Sequence, residues 1–252
     1  MQTFTLTFGD VAENHTGMQK IGKEAKEGLT FDELQSALIW FSEKGCNCDL
    51  YELNQLLPEG FEGEKAYFLI IRNGLSALTK ASPSEFFEEQ ERLDKDTKAF
   101  MYGRVVNKKA RHNLCFGPEN SEPDYQQGRG RVVSFDQVPL LTQVRNSLVQ
   151  PFGQKAQDLM VEGNYYYDIQ KCFIGFHGDS ERKIVIGLRL GQPFPLHFQW
   201  FEGGRKIGQR VEFSLNNGDV YAMSSKTVGS DWKRKKILTL RHAAGSVKSL
   251  KL

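Results

Sequence analysis

From Gly103 onward, Gly, Pro and Asn cut the chain into short β-rich segments, and this cadence restricts the fold more than any other feature. The segments fall at roughly 164–168, 172–178, 183–190, 196–201, 210–215, 219–223 and 235–242. Short strands with loop signals between them point to a closed or double-sheet β architecture rather than to βαβ units. Gly203-Gly204-Arg205-Lys206 reads as a hairpin connection and Asn216-Asn217-Gly218 as a turn. An amphipathic helix over 138–148 precedes the series. A jelly roll satisfies such strand edges and leaves an interior mouth where a small ligand can sit.

Residues 1–95 have a different texture. The apolar spacing of 31–41 predicts a helix that stops at Gly45, and 66–72 reads as a buried strand closed by Asn73-Gly74. A second, acidic helix is expected from Ser82-Pro83-Ser84-Glu85 to about Leu93, with Ser82 or Ser84 as its cap. The expected organisation is therefore α+β. It comprises a mixed N-terminal extension over 1–95 with a supporting role, and a β-rich domain over 96–252 with supporting helices.

A chain of 252 residues with 39% hydrophobic and 25% charged residues has the composition of an ordinary soluble globular protein. A net charge of +2 gives no global argument for a nucleic-acid partner. No apolar run reaches the roughly eighteen residues of a membrane span, and the alternating N-terminus lacks the regions of a signal peptide. Cys46, Cys48, Cys115 and Cys172 are sparse and irregularly spaced, which fits a reduced, intracellular setting better than a disulfide framework.

The candidate chemistry lies in residues 174–182. His177 and Asp179 are two residues apart after a run of strand formers, so an extended backbone turns both to one face. One imidazole and one carboxylate form two-thirds of the 2-His-1-carboxylate triad of non-haem Fe(II) oxygenases. Asn164 and Tyr166 share a face by the same rule, although Tyr165, Tyr166 and Tyr167 also suit core and rim aromatics. Glu181-Arg182 reads as a solvated pair or loop anchor, and His15 and His112 as ordinary loop histidines.

Taken in order, the chain reads Asn164-x-Tyr166-x-Asp168, then Ile174-Gly175-x-His177-x-Asp179-x-Glu181, then Leu190-Gly191 at a strand end. Gly218-Asp219 before a strand and Lys235-x-Ile237-x-Thr239-x-Arg241 complete it. This series resembles the AlkB-like branch of the 2-oxoglutarate- and Fe(II)-dependent dioxygenases. Residues 110–117, with Asp124-Tyr125 and the helix near Pro139, are similar to that family's nucleotide-recognition lid (here about 104–135) and first core helix. The resemblance spans about residues 104 to 243.

It implies a double-stranded β-helix, or jelly-roll, core that binds Fe(II) through His177 and Asp179 and takes 2-oxoglutarate as cosubstrate. Asn164 and Tyr166 would hydrogen-bond the cosubstrate, and Arg241 would grip its carboxylate through a planar fork. Lys235 and Thr239 fall on further positions of the terminal pattern. There lysine replaces the family's arginine, and Ile237 replaces its asparagine. The family's second histidine has no counterpart between Gly218 and Arg241. His242 follows at once, but strand alternation sends it to the face opposite Arg241. His197, Asp231, Lys226, or water and cosubstrate alone are the other candidates for the third position.

The implied reaction is oxidative hydroxylation or demethylation of a nucleic-acid base. A protein or small-molecule hydroxylase and a non-catalytic binding protein are the alternatives. Lys233-Arg234-Lys235-Lys236 and the cluster around Arg111 suit DNA or RNA phosphates, with Phe116 or Tyr125 available to stack on a flipped base.

Overall fold

The first strand, β1 (Thr3–Gly9), alternates Phe4, Leu6 and Phe8 with Thr3, Thr5 and Thr7, giving one apolar face and one face of hydroxyls. The structure, a computed structural model, describes residues 1–250. After β1 come the hairpin β2 (Val11–Glu13) and β3 (Lys20–Gly22), helix α1 (Phe31–Glu43), β4 (Asn47–Glu52), β5 (Tyr67–Arg72), and helices α2 (Leu75–Leu78) and α3 (Pro83–Glu91). A second hairpin, β6 (Lys98–Met101) and β7 (Arg104–Asn107), leads to β8 (His112–Gly117), β9 (Val132–Ser134), α4 (Pro139–Ser147) and α5 (Val149–Phe152). The remainder is β10 (Met160–Tyr166), β11 (Ile174–His177), β12 (Val185–Gly191), β13 (Phe194–Glu202), β14 (Arg205–Leu215), β15 (Val220–Met223), the short helix α6 (Ser225–Val228) and β16 (Thr239–Ala244).

Helix starts follow local chemistry. Thr30 with Glu33 and Ser82 with Glu85 form reciprocal capping boxes at α1 and α3, and proline opens α3 and α4. Among the described residues no helix is long and apolar enough to cross a membrane.

Two sheets carry the architecture. A large one has the order β4-β5-β15-β12-β1-β10-β8-β9, and a small one has the order β11-β16-β13-β14. The apolar residues of β1, β10, β12 and β15 that face outward (Leu6, Val161, Leu188 and Ala222 among them) join Leu34, Phe41, Phe86 and Leu141 of the helices in one buried cluster. The alternate residues face the small sheet, where Tyr166, Val185, Tyr221 and Met223 pack with Phe194, Phe198, Trp200 and Leu240. The inward face also holds Thr5, Thr7, Glu162, Asn164 and Arg189, all of which line one cavity. A polar patch on the inward face of a sandwich is costly unless something polar meets it, so it marks the functional end of the molecule.

The expected division at residue 95 does not separate two cores. β1 lies in the middle of the large sheet, paired with β10 on one side (Thr5 opposite Asn164) and with β12 on the other (Thr5 opposite Arg189). β4 and β5 extend the same sheet, so three of its eight strands come from the segment expected to be an appendage. The lid-like stretch about 104–135 is likewise built in: β8 pairs with β10, and β9 runs parallel to β8.

Candidate metal centre

His177 ends β11, and His242 lies directly opposite it on β16. Asp179 follows on a turn whose backbone N–H donates to Val228 O at 3.0 Å. Only glycine fits between His177 and Asp179, because a Cβ on Gly178 would lie 2.0 Å from Gly229 O. The His177 and His242 rings stand edge to face with centroids 4.5 Å apart. Each Nε2 is 3.4 Å from Asp179 Oδ1, and the three groups can bring their ligand atoms within 4.8 Å of one another. His177 Nδ1 lies 2.8 Å from Gly175 O, which can only accept, so Nδ1 carries the proton. Two nitrogens and one oxygen converge as a metal ligand set would.

Burial works to raise the Asp179 carboxyl, but Arg182, His177 and His242 outweigh it and hold it well below the usual range. Arg182 is 2% exposed. Its Nη2 donates to Glu162 and, at 2.8 Å, to Glu181, while its Nε lies 3.6 Å from Asp179 Oδ2. Three carboxylates therefore share one guanidinium. A divalent cation beside two neutral imidazoles would bring this group to neutrality.

The cavity beyond the histidines has a volume of about 470 Å³. At its inner end Arg189 is fully buried (0% exposed), and its Nη1 donates to the Thr5 hydroxyl. Its Nε and Nη2 have no hydrogen-bond partner. Tyr166 and Tyr221 line the same end, and Gly187 leaves the space that the Tyr221 ring fills. Among the described residues Arg189 has no carboxylate within ion-pair distance, so the chamber ends in an uncompensated cation with two free donors. Arg111, His15, Trp232 and Lys233 line other parts of the wall.

No family model matches the chain. Over 253 residues it is 51% identical to "Uncharacterized protein R156" of Acanthamoeba polyphaga mimivirus, a match covering 99% of this chain and 98% of that protein. The chain belongs to the family of that mimivirus protein. At this identity and coverage the two share their whole architecture, so the site described here is one that can be sought in that relative.

Of the residues anticipated from sequence, His177, Asp179, Asn164, Tyr166, Arg111 and Lys233 line the cavity, and His242 joins them as the third member of the cluster. Asn164 is occupied, however. Its Oδ1 accepts from Arg111 Nε (2.5 Å) and Asn113 (2.7 Å), and its Nδ2 donates to Glu162 (3.0 Å).

Arg241 does not reach the cavity. It stacks on Phe201 (4.1 Å) and Trp232 (5.3 Å), because β16 turns Leu240, His242 and Ala244 inward instead. Thr239 shares that outward face, its hydroxyl 3.4 Å from Phe201 O, and Lys235 is exposed away from the site. His197 is bound to Gly245 O at 2.8 Å and to Arg210, and Lys226 pairs with Asp231 at 2.6 Å; none of these three lines the cavity or joins the cluster. Phe116 is core, Tyr125 is held by Asp96 at 2.6 Å, and Arg234 lines a separate shallow groove.

Arg182 is the reverse case: read as half of a solvated pair or as a loop anchor with no part in the chemistry, it is a buried anchor at the centre of the site. Arg189 was also missed, although one charge inside the apolar run 184–190 was a visible signal.

Burial, followed by the neighbouring His177, lowers the His242 pKa below the ordinary 6.5 against the pull of Asp179. Burial does the same at His15, His112 and His197. As the pH falls past 6.5 the unfolded chain takes up protons that the fold refuses, so the unfolded state gains. The histidine contribution to the stability of the metal-free protein is expected to be full well above 6.5 and to be lost as the pH falls through 6.5 and below it. The raised carboxyls of Glu13 and Glu181 act in the opposite sense to this histidine window. Urea midpoints across it test this; a midpoint that rises on acidification would contradict it.

Proposed function

We propose that this chain is an Fe(II)- and 2-oxoglutarate-dependent oxygenase on a double-stranded β-helix, with His177, Asp179 and His242 as the metal ligands. The observation that carries the proposal is the pairing of this cluster with Arg189 at the inner end of one cavity. Nitrogen and oxygen donors in a three-point set suit a non-haem iron with open positions. A buried guanidinium with two free donors suits the carboxylate of a dicarboxylic cosubstrate. In this reading Arg189 takes the role first expected of Arg241, with Thr5, Tyr166 and Tyr221 completing the polar lining. Bound iron, 2-oxoglutarate and dioxygen as the oxidant would supply the chemistry: one oxygen atom would enter a nearby C–H bond and the other the succinate formed as the cosubstrate loses carbon dioxide.

The fold reading is supported by chain order. Beginning at β10, successive strands alternate between the large and small sheets, except for the hairpin β13–β14, and end at β16 in the small sheet. The eighth place, between β10 and β12, is filled by β1 from the N-terminus. The terminal arginine strand of the related dioxygenases would thus have its counterpart at the start of this chain, where Thr5 and Thr7 face inward.

The substrate we propose is a nucleic-acid base. Arg111 and Lys233 line the cavity with no carboxylate partner among the described residues, which suits phosphates outside the metal site. Stacking by Phe116 or Tyr125 is no part of this reading.

The test is succinate release from 2-oxoglutarate by the iron-loaded protein with methylated oligonucleotides, alongside oligonucleotide binding over a range of salt. Stimulated succinate release is expected, with binding that weakens steeply with salt and loses slope in Arg111→Glu. Succinate release without salt-dependent binding would retain the oxygenase and remove nucleic acid as substrate. Absence of both iron and 2-oxoglutarate binding would remove the oxygenase.

A further inference from the structure

We infer that Arg182 and Glu162 form a positioning pair that fixes the Asp179 carboxylate for metal binding; this rests on the metal-centre reading above. Asp179 lies on a turn beyond the end of β11, where a carboxylate is free to rotate unless something holds it. Its Oδ1 is the atom near both imidazoles, and its Oδ2 faces Arg182 Nε at 3.6 Å, an ion-pair separation. The guanidinium is itself anchored elsewhere. Its Nη2 donates to Glu162, which sits on β10 in the interior of the large sheet.

The anchor continues through the sheet. Glu162 also accepts from Asn164 Nδ2 at 3.0 Å, and Asn164 Oδ1 is held by Asn113 of β8 and by Arg111. The backbone after Arg182 is pinned as well, since Asp10 accepts from the N–H groups of Lys183 (2.9 Å) and Ile184 (2.8 Å). Gly9 makes room for the arginine stem, because a Cβ there would lie 3.2 Å from Arg182 Cδ. A loop residue is therefore referred to two strands of a rigid sheet, β10 and β8, through one arginine. A planar fork can bridge carboxylates in fixed directions, which an ammonium cannot. Outer partners of this kind orient ligands and set metal affinity.

The experiment is Co(II) titration of the wild type, Arg182→Lys, Glu162→Gln, the double variant and His177→Ala. It follows affinity and the visible spectrum of bound cobalt, with urea midpoints of each metal-free protein. Arg182→Lys and Glu162→Gln are expected to weaken Co(II) about 10- to 100-fold and to shift its spectrum. The double variant should lose little more than either single one, since the two residues act as a unit. Wild-type affinity and spectrum in Arg182→Lys would overturn the inference. So would an affinity loss with an unshifted spectrum that tracks the loss of metal-free stability, which marks a structural role alone. If wild-type and His177→Ala bind Co(II) equally, the metal-centre reading itself fails.

Discussion

Arg189→Met is expected to stabilise the metal-free protein while strongly weakening the proposed binding of 2-oxoglutarate. The two effects have opposite signs because they come from the same feature. Arg189 is fully buried, two of its guanidinium nitrogens have no partner, and burial lowers its pKa despite Tyr221, Tyr166 and Asp219 nearby. Buried polar groups without partners cost about 1–3 kcal/mol, and a methionine of similar length would remove that cost. The loss of the Nη1 bond to Thr5 subtracts about 1 kcal/mol or less. A bound carboxylate would instead lose both donors of a desolvated pair. Such losses cost about 2–5 kcal/mol, roughly 30- to 4,000-fold in affinity. Thermal melts and equilibrium binding of 2-oxoglutarate to the Mn(II)-loaded protein check both halves. A variant that is less stable and still binds the cosubstrate would show that Arg189 serves only the fold.

His242→Ala should weaken divalent metal binding by more than about 100-fold, beyond the range that loss of an outer-shell partner produces. The comparison that gives this force is His197→Ala. His197 is the more buried of the two and also lies on the small sheet, but it faces outward to Gly245 O and Arg210. Its replacement should lower stability and leave Co(II) affinity unchanged well below the melting temperature. Equal loss of affinity in both variants would mean that metal binding follows general stability, and unchanged affinity in His242→Ala would remove it from the ligand set.

The parts of this protein that were legible in the sequence depend on neighbours along the chain. The capping pairs Thr30 with Glu33 and Ser82 with Glu85 act over three residues, and helices α1 and α3 start where such signals allow. His177 and Asp179 could be paired from their spacing, although Asp179 lies beyond the end of β11 and is held there by its backbone bond to Val228 O rather than by strand alternation. Strand alternation also stated correctly that Arg241 and His242 face opposite ways. Which one faces inward is not a property of β16 alone. It is decided by Leu240 and Ala244 burying against the large sheet, and that choice placed His242 in the site and Arg241 outside it.

Residues 1–95 show the same limit on a larger scale. The alternation of β1 was visible, but its partners are β10 and β12, and Thr5 meets Arg189 across 184 positions of sequence. No local pattern encodes a pairing at that distance, because it is selected by the energy of the assembled sheet. By itself the sequence determined the β-rich class, the main helices and two members of the His-Asp-His cluster, all legible from spacing over a few residues. Only the tertiary structure decided the third member of the His177-Asp179-His242 cluster, the burial of Arg182 and Arg189 and the central place of β1. Those follow from which faces of distant strands exclude water together.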